Sequence, residues 1–160
     1  MECDKPISDQ ELLISIKALK NGKTPGSDGL TTDFYKFFWS DIKSHLLDSY
    51  NYALISGQLS IEQRRGILSL IPKKNKNRLF LKNWRPISLL NTDYKIIAKL
   101  LALRLTNVLP FIIDEDQTGY IKQRYIGQNI RVIEDLCHLT ETENLPGVIL
   151  LIDFEKALIP

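Results

Sequence analysis

Between Arg64 and Pro86, in the run RRGILSLIPKKNKNRLFLKNWRP, stand eight basic residues (Arg64, Arg65, Lys73, Lys74, Lys76, Arg78, Lys82, Arg85) and no acid. The whole chain carries a net charge of only +2, so the remaining residues are net acidic and the positive charge is concentrated in this one stretch. Such a concentration suits a polyanion: Arg grips phosphate oxygens in pairs, and Lys supplies a mobile point charge. A second residue with chemical capacity is Asp153, delivered by the apolar run Val148-Ile149-Leu150-Leu151-Ile152. A carboxylate at the C-terminal end of a buried strand suits a metal or catalytic role, and equally suits a simple cap on the next turn.

These residues need elements to hold them. Gly66 to Ile71 is a β-prone run stopped by Pro72, and Trp84-Arg85-Pro86-Ile87-Ser88 begins a second extended segment, which predicts a basic hairpin. Two readings of it stand together: a clamp on phosphates, and a solvated edge whose lysines discourage strand-to-strand aggregation. Upstream, Ser8-Asp9-Gln10-Glu11 has the form of a capping box, with Leu12, Leu13, Ile16 and Leu19 at helical spacing until Asn21-Gly22. The segment KTPGSDGL is rich in turn formers. One long helical region is then expected over 32–56, burying Phe34, Phe37, Phe38, Trp39, Ile42, Leu46 and Tyr50 and ending at Gly57.

Asn91 or Thr92 is expected to cap a further helix whose apolar stripe is Tyr94, Ile97, Ala98, Leu101, Leu105 and Val108, with Lys95, Lys99 and Arg104 on the wet face and an end near Pro110. Residues 117–124 read as a turn or short strand, 127–142 as a last helix, and 148–152 as a central strand covered on both faces.

With 160 residues, 44% hydrophobic and 25% charged, the composition is that of a folded domain. No apolar run reaches the roughly 20 residues a spanning helix requires, and MECDKPISDQ lacks a secretory layout, so an intracellular chain without membrane association is expected. Cys3 and Cys137 have no CxxC partner, and His45 and His138 stand apart, which argues against zinc. Gly22-Lys23-Thr24 is not a P-loop, because the glycine required five positions earlier is Lys17. Asp114-Glu115-Asp116 reads as the start of a turn rather than a calcium loop.

Five segments in order, NGKTPGSDGLTTDFYKFF, GILSLIPKK, NWRPISLLNTDYKIIAKLLALRL, DQTGYIKQRYIGQNI and LIDFEKA, resemble the reverse transcriptases of non-LTR retrotransposons, the long interspersed element kind. The resemblance covers most of the chain and implies a mixed, helix-rich α/β fold, part of the right-hand polymerase fold. Residues 1–20 would form a helix leading into the fingers, 21–145 the fingers with part of the palm, and 146–160 the first palm strand.

By the same resemblance, Lys73 or Lys74 and Arg85 contact the triphosphate of the incoming nucleotide. Gln117, Gly119, Gln128 and Asn129 belong to an insertion motif lying along the template, and Asp153 is the first metal-binding, catalytic aspartate. Phe154 would offer a backbone carbonyl beside it. Mg²⁺ is the implied cofactor, because two such ions, roughly 4 Å apart, activate a primer hydroxyl and neutralise the leaving pyrophosphate. RNA template, DNA primer and deoxynucleoside triphosphates are the implied partners.

The sequence departs from the family at its end, where Leu158 stands in the position of the Phe that excludes the ribose 2′-hydroxyl and Ile159 in that of an Asp. It also has no adjacent Asp pair. The expectation is therefore a polymerase fragment unable to polymerise alone. The alternatives are a residual module that binds RNA or single-stranded DNA without sequence preference, with Trp84 and Phe80 available for stacking, and a chain without selected function.

Overall fold

The computed structural model describes residues 4–152, and Asp153, Phe154 and Leu158 lie outside the described residues. The chain divides into two compact units, one ending at Val108 and one beginning at Leu109.

The first unit starts with helix α1, Asp9–Ala18. Its expected capping box is present: the Ser8 hydroxyl accepts from the Glu11 backbone N–H, and the Glu11 carboxylate accepts from the Ser8 N–H. Two more helices follow, α2 over Thr32–Phe37 and α3 over Trp39–Ser56. The single helix expected over 32–56 is thus corrected to two, because Phe38 adopts φ −91°, ψ +19° and serves as the end of one and the start of the other. That break turns Phe37 outward, 81% exposed, with Phe38 also exposed, and Tyr35 takes the buried place on α2. Gly57, at φ +76°, ends α3 in the left-handed conformation that costs glycine least.

Helix α4 is one turn, Ile61–Arg64. The hairpin then forms as expected: β1 (Gly66–Pro72) pairs antiparallel with β2 (Trp84–Leu90), from Gly66 opposite Leu90 to Pro72 opposite Trp84. Helix α5 runs over Thr92–Ile112 and carries Pro110 inside its last turn, two residues beyond the expected stop.

The core of this unit is Ile7, Leu12, Ile16, Tyr35, Tyr50, Ile96, Ile97 and Leu100. Burial pushes the Tyr50 phenol well above its usual range, and its hydroxyl donates to the Asp93 carbonyl at 2.8 Å. The stripe expected on α5 is rotated: Ile96, Ile97, Leu100 and Arg104 are buried, whereas Ala98 and Leu105 are exposed. Arg104 is therefore not on the wet face. Its side chain is 6% exposed, and its guanidinium donates to both Glu11 carboxylate oxygens and to the carbonyls of Lys5 and Pro6. A buried guanidinium is tolerated only when paired and hydrogen-bonded, and here it fastens α5 to the N-terminal segment.

The second unit contains α6, Gly127–Thr142, with the predicted bounds and no buried residue. The strand expected over 148–152 does not form. Those residues are coil, exposed throughout, since no described strand lies beside them to complete a ladder. The described residues thus have the expected mixed, helix-rich α/β architecture, with one small antiparallel sheet. No helix among the described residues is long and apolar enough to cross a membrane.

The Arg104 guanidinium holds the Glu11 carboxyl at about 2, below its ordinary 4.5. A carboxylate with a lowered folded-state pKa stabilises above its unfolded value, and that contribution fades as pH falls from about 4.5 toward 2. Glu11→Gln should cost about 1–3 kcal/mol at pH 7, reduced by solvent screening because the Glu11 side chain is 39% exposed. Urea unfolding should then show a shallower loss of stability between pH 5 and pH 2 than the parent chain; an identical pH dependence would refute the pairing.

Candidate nucleotide and nucleic-acid interface

The hairpin register decides which cations work together. Arg85 lies opposite Ile71. The Lys73 N–H donates to the Asn83 carbonyl at 2.7 Å, so pairing continues one step past Pro72. Side chains alternate with a period of two, which puts Lys73 and Arg85 on the same face as diagonal neighbours, roughly 7–8 Å apart. Lys74 begins the turn and falls out of this alternation. Of the two lysines left open by sequence, Lys73 is the one the strand pairing aligns with Arg85.

The tip is folded by its own bonds. Asn83 Nδ2 donates to the Asn77 carbonyl at 2.7 Å, and the Leu79 N–H donates to Asn77 Oδ1 at 2.9 Å. The Trp84 indole N–H donates to the Arg78 carbonyl at 2.8 Å, which fastens the ring to the tip, while Phe80 is exposed with Lys82 Nζ 5.8 Å from its centroid. Among the described residues, Lys73, Lys74, Lys76, Arg78, Lys82 and Arg85 have no carboxylate partner, whereas Arg65 pairs with Glu62 at 2.9 Å.

The base of the hairpin rests on a residue whose role sequence reasoning mistook. The Asn91 side chain caps nothing on α5. It accepts from Ser27 Oγ at 3.2 Å and from the Asp28 N–H at 3.4 Å, and donates to the Glu62 carbonyl at 3.0 Å. Thr92 Oγ1 donates to the Leu30 carbonyl at 2.6 Å, and Lys95, expected in solvent, donates to the Thr24 carbonyl at 3.0 Å. The turn-rich loop 23–30 is thereby tied to the start of α5. Beside it, burial pushes the Asp93 carboxyl above its usual range and nearby Asp28 adds to the rise, while the Tyr94 N–H works in the opposite direction.

In the second unit, Gln117 Nε2 donates to the Gly119 carbonyl at 3.4 Å, and Asn129 Nδ2 donates to the Asp116 carbonyl at 2.8 Å. These bonds bring Gln117, Gly119 and Asn129 into one local structure and commit the Asn129 amide to it. Gln128 is exposed, and its side chain has no partner among the described residues. Asp114 Oδ1 accepts from the Asp116 N–H at 3.0 Å, the turn role expected of the acidic triplet.

Arg124 escaped the sequence reading. Its guanidinium donates to the carbonyls of Pro110, Ile113, Asp114 and Gln117, closing the end of α5 where backbone acceptors run out of partners. The available signal was a long cation shortly after a proline-containing helix end.

Asp153, with Phe154 and Leu158 after it, lies outside the described residues. Among the described residues no three His, Cys, Asp or Glu side chains converge as metal ligands.

Comparison with known proteins places this geometry in a class. Residues 71–158, more than half of the chain, match the reverse transcriptase (RNA-dependent DNA polymerase) family. The chain belongs to that family. Over 154 residues, 96% of its length, it is 42% identical to the Transposon TX1 uncharacterized 149 kDa protein of Xenopus laevis, of which it spans 12%.

The Asn91 junction makes Gly26 sensitive to any side chain. A Cβ there would overlap Asn91 Oδ1 and its backbone nitrogen and stand 2.6 Å from its Cα. Gly26→Ala should lower stability by about 1–3 kcal/mol in urea unfolding; an unchanged midpoint would show that the loop does not pack on Asn91.

Proposed function

We propose that this chain supplies the nucleotide-gripping and template-contacting surfaces of an RNA-directed DNA polymerase. The observation that carries the reading is the shared face of Lys73 and Arg85 beside unpartnered cations, in a chain of the reverse transcriptase family. Arg85 offers a planar fork for two phosphate oxygens, and Lys73 a compact charge for a third. The ligand that fits is the triphosphate of a deoxynucleotide. On the second unit, Gln128 is the free amide of the template motif, with Gln117, Gly119 and Asn129 giving it a fixed support.

The family reaction is nucleotidyl transfer, and its divalent metal, Mg²⁺ in this reading, would be held by Asp153 with the Phe154 carbonyl. The sequence has no adjacent Asp pair to complete such a centre. The 160 residues alone should therefore give no incorporation in primer extension with Mg²⁺, and template-dependent synthesis by them would overturn this view.

Gripping is separable from catalysis. Lys73→Ala and Arg85→Ala should each weaken binding of a deoxynucleoside triphosphate in calorimetry more than Lys74→Ala does; equal losses would remove the role of the register. The same cations favour a second activity, weak binding of RNA or single-stranded DNA without sequence preference. Replacing Lys73, Lys74 and Arg85 together should flatten the slope of log K against log salt by about 2, at roughly 0.7 per phosphate contact on a single strand. An unchanged slope would exclude the hairpin from that binding.

A further inference from the structure

Residues 117–131, QTGYIKQRYIGQNIR, hold three basic residues, two tyrosines and no acid. Tyr120 is fully exposed, and its backbone lies at φ +62°, a left-handed conformation unfavourable for a bulky residue. Gln123 repeats the departure at φ +69°. Tyr125 is 71% exposed, and its ring lies against Gly127: a Cβ there would collide with Cε1 and stand 2.8 Å from Cζ and 2.9 Å from Cδ1. The segment between the rings is braced, since the Arg124 N–H donates to the Ile121 carbonyl at 3.2 Å and the Arg124 guanidinium is spent on backbone carbonyls. Arg124 thus holds the support, while Lys122 and Arg131 are exposed and have no partner among the described residues.

A strained backbone that holds an aromatic ring in water gains nothing in folding. Solvent does not reward the exposed ring, and the left-handed residue costs free energy. We propose that Tyr120 and Tyr125 form a stacking platform for unpaired bases of a single-stranded nucleic acid, with Lys122 and Arg131 meeting its phosphates. Bases stack on tyrosine whatever their identity, and cations flanking the rings without acids suit a phosphate backbone. Exposed tyrosines also serve protein interfaces, but the acid-free run of chain between them, with Lys122 in it, favours a polyanion. The proposal rests on the template-contacting reading of Gln117 and Gln128 and adds the groups that would hold the bases.

The test is binding of a fluorescein-labelled 20-nucleotide oligouridylate to the 160-residue chain, with folding followed by circular dichroism. Tyr120→Leu and Tyr125→Leu should each lower affinity by roughly five- to hundredfold, with the salt slope unchanged because no charge is lost. Tyr120→Phe should bind like the parent. Tyr120→Gly should unfold at a higher urea concentration than the parent while binding more weakly, which separates strain from recognition. Leucine variants that bind as tightly as the parent would overturn the platform and leave the hairpin reading standing, provided replacing Lys73, Lys74 and Arg85 still flattens the slope. Absence of binding by the parent chain would overturn both.

Discussion

The place of the hairpin in its unit is fixed at its base by Asn91. This buried residue lies between the last residue of β2 and the first of α5, and its amide joins loop 23–30 to α4 through Ser27, Asp28 and Glu62. A buried amide left unpaired is costly, so each of these segments is held where its partner atom must be. A two-stranded sheet is marginal by itself in water, and this junction supplies the attachment it lacks. From Asn91 to Arg85 the strand runs roughly 20 Å at 3.4 Å per residue, so the tip stands well away from its anchor. The register then carries the order of the base to the tip, residue pair by residue pair.

Charge alone does not tell a working cation from a structural one. Arg104, Lys36, Lys95 and Arg124 all spend their donors inside the protein: Arg104 on Glu11 and two carbonyls, Lys36 on the Leu19 carbonyl and Asn21, Lys95 on Thr24, and Arg124 on the end of α5. These cations complete helix ends and loops whose acceptors would otherwise be unmet. Among the described residues the hairpin cations meet no such acceptor. Their bonds come from backbone and from neutral Asn and Trp side chains, which order the tip while leaving the ammonium and guanidinium groups available. The distinction between the two sets is one of partners: the first set is spent on holding the fold, and the second is not.

What was legible in the sequence follows the range of the forces involved. The Ser8–Glu11 capping box, the Gly57 stop, the hairpin strands and the bounds of α6 are set by neighbours a few residues away, and each is present. The burial of Arg104 and the partners of Asn91 depend on residues far along the chain, about which helical periodicity carries no information. The site divides in the same way. Its basic hairpin was legible, but only the pairing of Ile71 with Arg85 separates Lys73 from Lys74, and only the bond from Asn129 to Asp116 separates Asn129 from Gln128.

The run Val148–Ile152 shows the limit of composition as a guide to β structure. It is more uniformly apolar than β1, whose run is interrupted by Ser69, and it has the unbroken character of a strand covered on two faces. β1 has β2 opposite it, and its backbone groups are paired through Pro72 even though Leu68, Leu70 and Ile71 remain exposed. Val148–Ile152 has no described strand beside it and stays coil, with the same kind of side chain in water. The difference lies in the hydrogen-bond partner, because a strand's polar backbone must be paired before its apolar faces contribute. Pairing, more than hydrophobicity, thus determines that residues 66–72 form a strand while 148–152 do not.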